Sequence, residues 1–161
     1  MSERSNLNAG DGVAASEVVR VGLNGFGRIG RNVFRAVLDD PRIELVGVND
    51  VMEFDDMAYL AKYDTVMGRL DDVTRVEDSL VVGDSSVPLY NVQDPTRLPW
   101  DDLDVDVAPE CTGIFRTMGD AAAHLDACSA SVVIAAPPTG AEYVRQLVHG
   151  GNHDEDDGEA G

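Results

Sequence analysis

The chain has 161 residues, 43% of them hydrophobic, enough for one domain with a substantial core and too many for a disordered chain. Its 30 acidic against 12 basic residues leave a formal net charge of -18, which disfavours nucleic acid and anionic membranes as partners. No apolar run approaches the roughly 20 residues that span a bilayer, so no membrane segment is expected, and two cysteines with a polar start point to a reducing cytoplasm.

The acidity has two readings: adaptation to high salt, where ions screen self-repulsion, or a localised acidic interaction surface. The carboxylates are spread along the chain, at Asp39-Asp40, Asp55-Asp56, Asp71-Asp72, Asp101-Asp102, Asp104 and Asp106. That spacing favours the first reading.

Residues 1–17, rich in Ser, Asn, Gly and Ala, read as a flexible leader. The fold is expected over 18–149, with 150–161 an acidic tail. Val18 to Asn24 is a near-continuous apolar run of the kind buried in parallel sheets, and it leads directly into Gly25-Phe26-Gly27-Arg28-Ile29-Gly30. A helical pattern follows (Val33, Phe34, Val37, Leu38) and should end near Asp39-Asp40, because Pro41 disfavours helical geometry in the residue before it. Ile43 to Asn49 is the second strand and closes a right-handed strand-helix-strand unit.

Phe54 to Tyr63 has the spacing of a short amphipathic helix, with Asp55-Asp56 near its positive end. Val73 to Val92 alternates β-rich runs with turn residues and reads as small antiparallel strands. Val105 to Cys111 is again a buried strand, with Pro109 near its end. Met118 to Cys128 is a helix carrying Ala121, Ala122 and Leu125, and Val132 to Ala136 is another core strand. Tyr143 to Val148 fits either a last strand or a short helix. The alternation of strand and helix predicts an α/β fold, a Rossmann-type doubly wound, mainly parallel sheet in a single domain.

The glycine word is the chemical signature. Gly25 permits the tight turn after the strand, Gly27 lets the backbone approach a pyrophosphate, and Gly30 lets the helix pack closely, with the backbone N–H groups of Arg28 and Ile29 at the helix start. Asp50 stands about 20 residues past the last glycine, where an acid accepts hydrogen bonds from ribose hydroxyls and repels a 2′-phosphate. This favours NAD and leaves NADP open. Thr112-Gly113 ends a parallel strand, where open α/β sheets bind ligands. Cys111 and Cys128 lack a Cys/His word around them, and no metal site or catalytic residue is read from His124, His149 or His153.

The word N-G-F-G-R-I-G-R at Asn24 to Arg31 resembles the start of the glyceraldehyde-3-phosphate dehydrogenase family. Later words agree in order and spacing: V-N-D at Val48 to Asp50, Y-D at Tyr63-Asp64, D-P-T-R-L-P-W at Asp94 to Trp100, E-C-T-G-I-F at Glu110 to Phe115, H-L at His124-Leu125, A-P at Ala136-Pro137 and G-N-H-D at Gly151 to Asp154. The resemblance implies a cofactor site built from Asn24, Gly25, Phe26, Gly27, Arg28, Ile29, Gly30, Asn49, Asp50, Gln93, Thr112, Gly113, Phe115 and Ala135. Gln93 stands where many members have Arg, Met67 replaces a common His, and Ala135-Ala136 lack the hydroxyl usually found before Ala-Pro.

In that family the S-C-T-T-N-C word with the nucleophilic cysteine, and then a catalytic domain, follow the last of these words, so the chain is expected to be truncated before them. The family's reaction oxidises an aldehyde through a cysteine thiohemiacetal, with hydride transfer to NAD and phosphorolysis of the thioester. Three readings stay open: an NAD-binding half that is inactive alone, one chain of a split dehydrogenase completed by a separate catalytic chain, and a non-catalytic NAD-responsive binding module. The family's usual homotetramers make a homo-oligomer an expected assembly.

Overall fold

A computed structural model describes residues 18–127, 131–140 and 145–152. The expected leader, Cys128, Tyr143 and the tail from residue 153 onward lie outside the described residues. Strand β1 (Val19–Asn24) is followed by helix α1 (Arg28–Leu38), β2 (Ile43–Asn49) and α2 (Phe54–Lys62). A two-residue pair, β3 (Tyr63–Asp64) with β4 (Gly68–Arg69), then leads to β5 (Val73–Val76), β6 (Ser79–Val82) and β7 (Ser85–Tyr90). A 3-10 turn at Pro95–Arg97, β8 (Val107–Glu110), α3 (Met118–Ala127) and β9 (Ser131–Ile134) complete the order.

The main sheet runs β5-β6-β7-β2-β1-β8-β9. β7, β2, β1, β8 and β9 are parallel, with Val21 facing Leu45 on one side and Val107 on the other. The segment 73–92 forms antiparallel strands as its turns predict, and its last strand joins β2 in parallel, Val48 opposite Leu89. The mainly parallel Rossmann-type sheet is therefore the observed architecture.

Each face of the sheet buries one cluster. Leu23, Phe34, Val48, Met57, Ala61, Leu80 and Val87 pack together with α1 and α2. Val46, Leu98, Trp100, Val105, Ala108 and Ala127 form the other. The Trp100 ring lies against β1 and β2 where both carry glycine, since a Cβ at Gly22 would stand 3.0 Å from it and one at Gly47 3.1 Å. The last strand before α3 is shorter than its apolar run, because Val105 and Cys111 flank it as buried loop residues.

Three expectations change. The strand expected in the core over Val132 to Ala136 is β9, which ends at Ile134 at the sheet edge with no residue fully buried and Val133 54% exposed. Residues 145–148 form neither helix nor strand: all four are exposed, and Asn152 caps the segment by accepting from the Val148 N–H (2.7 Å) and donating to the Gln146 carbonyl (2.9 Å). A strand needs a ladder partner and a buried face, and local side-chain bonding supplies the alternative. In α3, His124 and Ala127 are buried while Leu125 is 46% exposed. The helix turns its histidine inward toward a buried carboxylate, Glu110.

Candidate dinucleotide-binding site

Three glycines shape the turn after β1 for three reasons. Gly25 has φ +96, and a Cβ there would stand 2.5 Å from the Thr112 nitrogen. A Cβ at Gly30 would collide with the Gly25 carbonyl, 2.9 Å from its carbon. Around Gly27 the space is open, with no atom within 4 Å of a Cβ. A backbone bare on its outer side and locked on its inner side is what a pyrophosphate needs to approach.

α1 begins at Arg28 with Gly27 as its N-cap, no side chain caps it, and its first turn carries no acid, unlike α2 with Asp55 and Asp56. Its leading N–H groups and the positive end of its dipole therefore suit an anion. Arg28 and Ile29 are exposed at this end. Phe26 is different: its ring is fully buried edge-on to Phe34, centroids 5.3 Å apart, and pins the turn to the core.

Asp50, just past β2, is tied to the same turn. Its Oδ2 accepts from the Phe26 N–H at 2.5 Å and its Oδ1 from the Met52 N–H at 3.1 Å. The Gly25 N–H donates to the Asn49 carbonyl at 2.8 Å, so both residues of the β2 end hold the glycine turn. A carboxylate held beside the phosphate turn is suitably placed for a ribose diol.

Thr112 and Gly113 follow β8; Gly113 is exposed with φ +74 and open space where a Cβ would be. Phe115 is half-buried, edge-on to His124 at 5.9 Å. Ala135 is half-buried just past β9 and donates its N–H to the Glu110 carbonyl at 2.9 Å. Gln93 is exposed in a shallow cavity of about 320 Å³ lined also by Asn91, Val92, Asp94 and Arg97. These residues collect at the carboxyl ends of parallel strands, where open α/β sheets bind ligands.

Beneath the turns lies a buried polar line in which Asn24 and Asn49, expected at the cofactor, bond instead to each other and to two residues that sequence reasoning missed, Glu110 and His124. Asn24 and Asn49 have relative exposures of 2% and 3%, Glu110 of 1% and His124 of 0%. Asn49 donates to the Asn24 Oδ1 (2.7 Å), and Asn24 donates to the Glu110 Oε2 (2.5 Å), which also faces His124 Nε2 at 2.8 Å. Burial pushes the Glu110 carboxyl up, but hydrogen bonds from His124, Thr112 and Asn24 together outweigh it and hold the group below its ordinary value. A carboxylate inside an otherwise apolar parallel strand was the available signal, because a buried charge requires partners.

Cys111 is a buried free thiol pushed up to about 11, chiefly by burial and then by the nearby Glu110 charge. That is the opposite of an activated nucleophile. Among the described residues no group of His, Cys, Asp and Glu could hold a metal ion, and no helix is long and apolar enough to cross a membrane.

The sheet, the glycine turn and Asp50 define a dinucleotide-binding domain of Rossmann type. Residues 19–118 match the family described as the glyceraldehyde 3-phosphate dehydrogenase, NAD binding domain. The chain belongs to that family, and the domain's cofactor is NAD. It is 58% identical over 147 residues to a glyceraldehyde-3-phosphate dehydrogenase of Haloarcula vallismortis, covering 89% of this chain and 44% of the relative. Similar proteins of the same name in Geobacillus stearothermophilus and Nostoc sp. are 45% and 44% identical over 88% and 84% of this chain. The chain spans 40 to 44% of the length of these relatives.

Proposed function

We propose that this chain is the NAD-binding half of a glyceraldehyde-3-phosphate dehydrogenase-like oxidoreductase, and that these 161 residues bind the dinucleotide without turning over substrate by themselves. The observation that carries this reading is Asp50 bonded to the Phe26 N–H, which places a ribose-type acid beside an uncapped, glycine-opened helix start. In this reading Gly25, Gly27 and the leading N–H groups of α1 take the pyrophosphate and Asp50 the ribose. Gln93, Thr112, Gly113, Phe115 and Ala135 line the rest of the crevice. Bound NAD supplies the hydride acceptor. The chain's own residues bind and orient it, and the buried, unionised thiol of Cys111 argues against covalent chemistry there.

The net charge of -18 and the 58% identity to a Haloarcula protein support adaptation to high salt. The free thiol of Cys111 supports a reducing cytoplasm. Calorimetric titration of NAD in molar KCl, with Asp50→Ala beside the unaltered chain, tests the site. Saturable binding that the substitution weakens supports it, and a folded chain that binds no NAD removes it. Turnover of the aldehyde by the isolated chain would overturn the second half of the proposal, while turnover on adding a separate catalytic chain would favour a split enzyme.

A further inference from the structure

We infer that Glu110 is the positioning residue of the cofactor crevice: it acts as the acceptor-only terminus of a hydrogen-bond line whose donors all run toward it, and it thereby sets the glycine turn against the Thr112-Gly113 turn. The inference rests on the NAD-site reading above.

The direction of the line is set at its far end by backbone. The Val92 N–H donates to Asn49 Oδ1 at 2.8 Å, and Asn49 Nδ2 donates to the Val92 carbonyl at 2.9 Å. This pair fixes which end of the Asn49 amide is which. Asn49 Nδ2 then also donates to Asn24 Oδ1, so Asn24 must present its Nδ2 to Glu110. His124 meets the same Oε2 through Nε2, and its buried Nδ1 has no partner among the described residues. The Nε2–H tautomer fits, because it leaves Nδ1 as a bare lone pair and not as a donor without an acceptor.

Oε1 meanwhile accepts both the N–H of Thr112, at 2.7 Å, and its hydroxyl. The Thr112 Oγ1 in turn accepts from the Ile114 N–H at 3.1 Å, which shapes the turn carrying Gly113. Four donors thus converge on one side chain. A carboxylate has only acceptors and takes all four; a glutamine of the same shape presents an NH₂ to one pair of donors and must break the line. Asn24 immediately precedes Gly25, and Gly25 packs on the Thr112 backbone. One carboxylate therefore couples the two turns that face the ligand, while itself lying outside the reach of solvent.

The test is a charge-relocation cycle on the full chain in molar KCl, read by NAD calorimetry and by amide NMR of Gly25, Gly27 and Gly113 without ligand. Glu110→Gln should weaken NAD binding by about tenfold or more, the scale of a charge-assisted buried bond, and shift those three amides. Asn24→Asp alone sets two carboxylates side by side and should also weaken binding. Asn24→Asp with Glu110→Gln restores a single acceptor-only group, to which Asn49, the introduced glutamine amide and, over the longer 3.4 Å that separates His124 Nε2 from the position-24 side chain, the His124 Nε2–H can donate, and should recover part of the loss. Mere loss of structural integrity would make the double variant worse than either single one. An unchanged Kd for Glu110→Gln, or a double variant no better than the single, overturns the assignment. Should Glu110→Gln fail to fold, recovery of fold and binding by the double variant supports it and continued unfolding refutes it. If the unaltered chain folds without binding NAD, the site reading fails, and the amide shifts and their reversal still decide the role of Glu110.

Discussion

Gly30 sits directly against Gly25, so close that a Cβ on the helix residue would overlap the carbonyl of the turn residue. Backbone meets backbone there, so no side-chain rearrangement can relieve the overlap. Gly30→Ala should therefore destabilise the domain by about 3 kcal/mol, at the upper end for overpacking, and weaken NAD binding because the turn must open. Gly27→Ala meets no atom in the protein and should leave stability nearly unchanged while weakening NAD binding. Urea unfolding in molar KCl alongside NAD titration checks both, and equal stability losses in the two variants would contradict this division of roles.

The depressed Glu110 carboxyl has a defined consequence for pH. Its folded value lies below its ordinary one of 4.5, so its contribution to stability is present above the unfolded value and is lost as pH falls through the folded one. Stability measured from about pH 6 down to pH 3 should fall less steeply in Glu110→Gln than in the unaltered chain. Parallel curves would show that the buried line does not hold the charge.

A net charge of -18 opposes both folding and the approach of an anionic dinucleotide. Because the Debye length shrinks to about 3 Å in molar salt, the melting temperature and the NAD affinity should both rise with KCl. Trp100 is the single tryptophan and fully buried, so its emission reports unfolding directly. A melting temperature independent of salt between about 0.1 M and molar KCl would count against the screening argument.

Cys111 should be inert in the folded state. With the thiol pushed to about 11, roughly a thousandth of it is ionised at pH 8, and the side chain is buried besides. Peptide mapping after iodoacetamide treatment should find Cys111 unmodified until the chain is unfolded, and rapid labelling of the native protein would mean that the β8 end opens.

Much of the site was legible from residue order because it is local. Gly25, Gly27, Gly30 and Asp50 are separated by short stretches whose geometry is dictated by a strand, a turn and a helix; the roles expected of the glycines follow from backbone sterics, and that of Asp50 from an acceptor-only carboxylate at the end of the second strand. Glu110 and His124 were not legible as partners. They lie 14 residues apart on a strand and a helix, and α3 has a weakly apolar pattern in which Ala121, Ala122 and Leu125 compete with His124 for the inner face.

Composition and periodicity were enough for the α/β class, the glycine turn and the acid at the second strand's end, since these depend on φ restrictions and on which residues one element can present. Long-range packing was needed to establish that Asn24 and Phe26 serve the turn from below, that Leu125 stays outside while His124 is buried, and that a single carboxylate gathers four donors. Hydrogen-bond direction along such a line is a property of groups brought together from separate strands, turns and a helix, and no stretch of residues carries it alone.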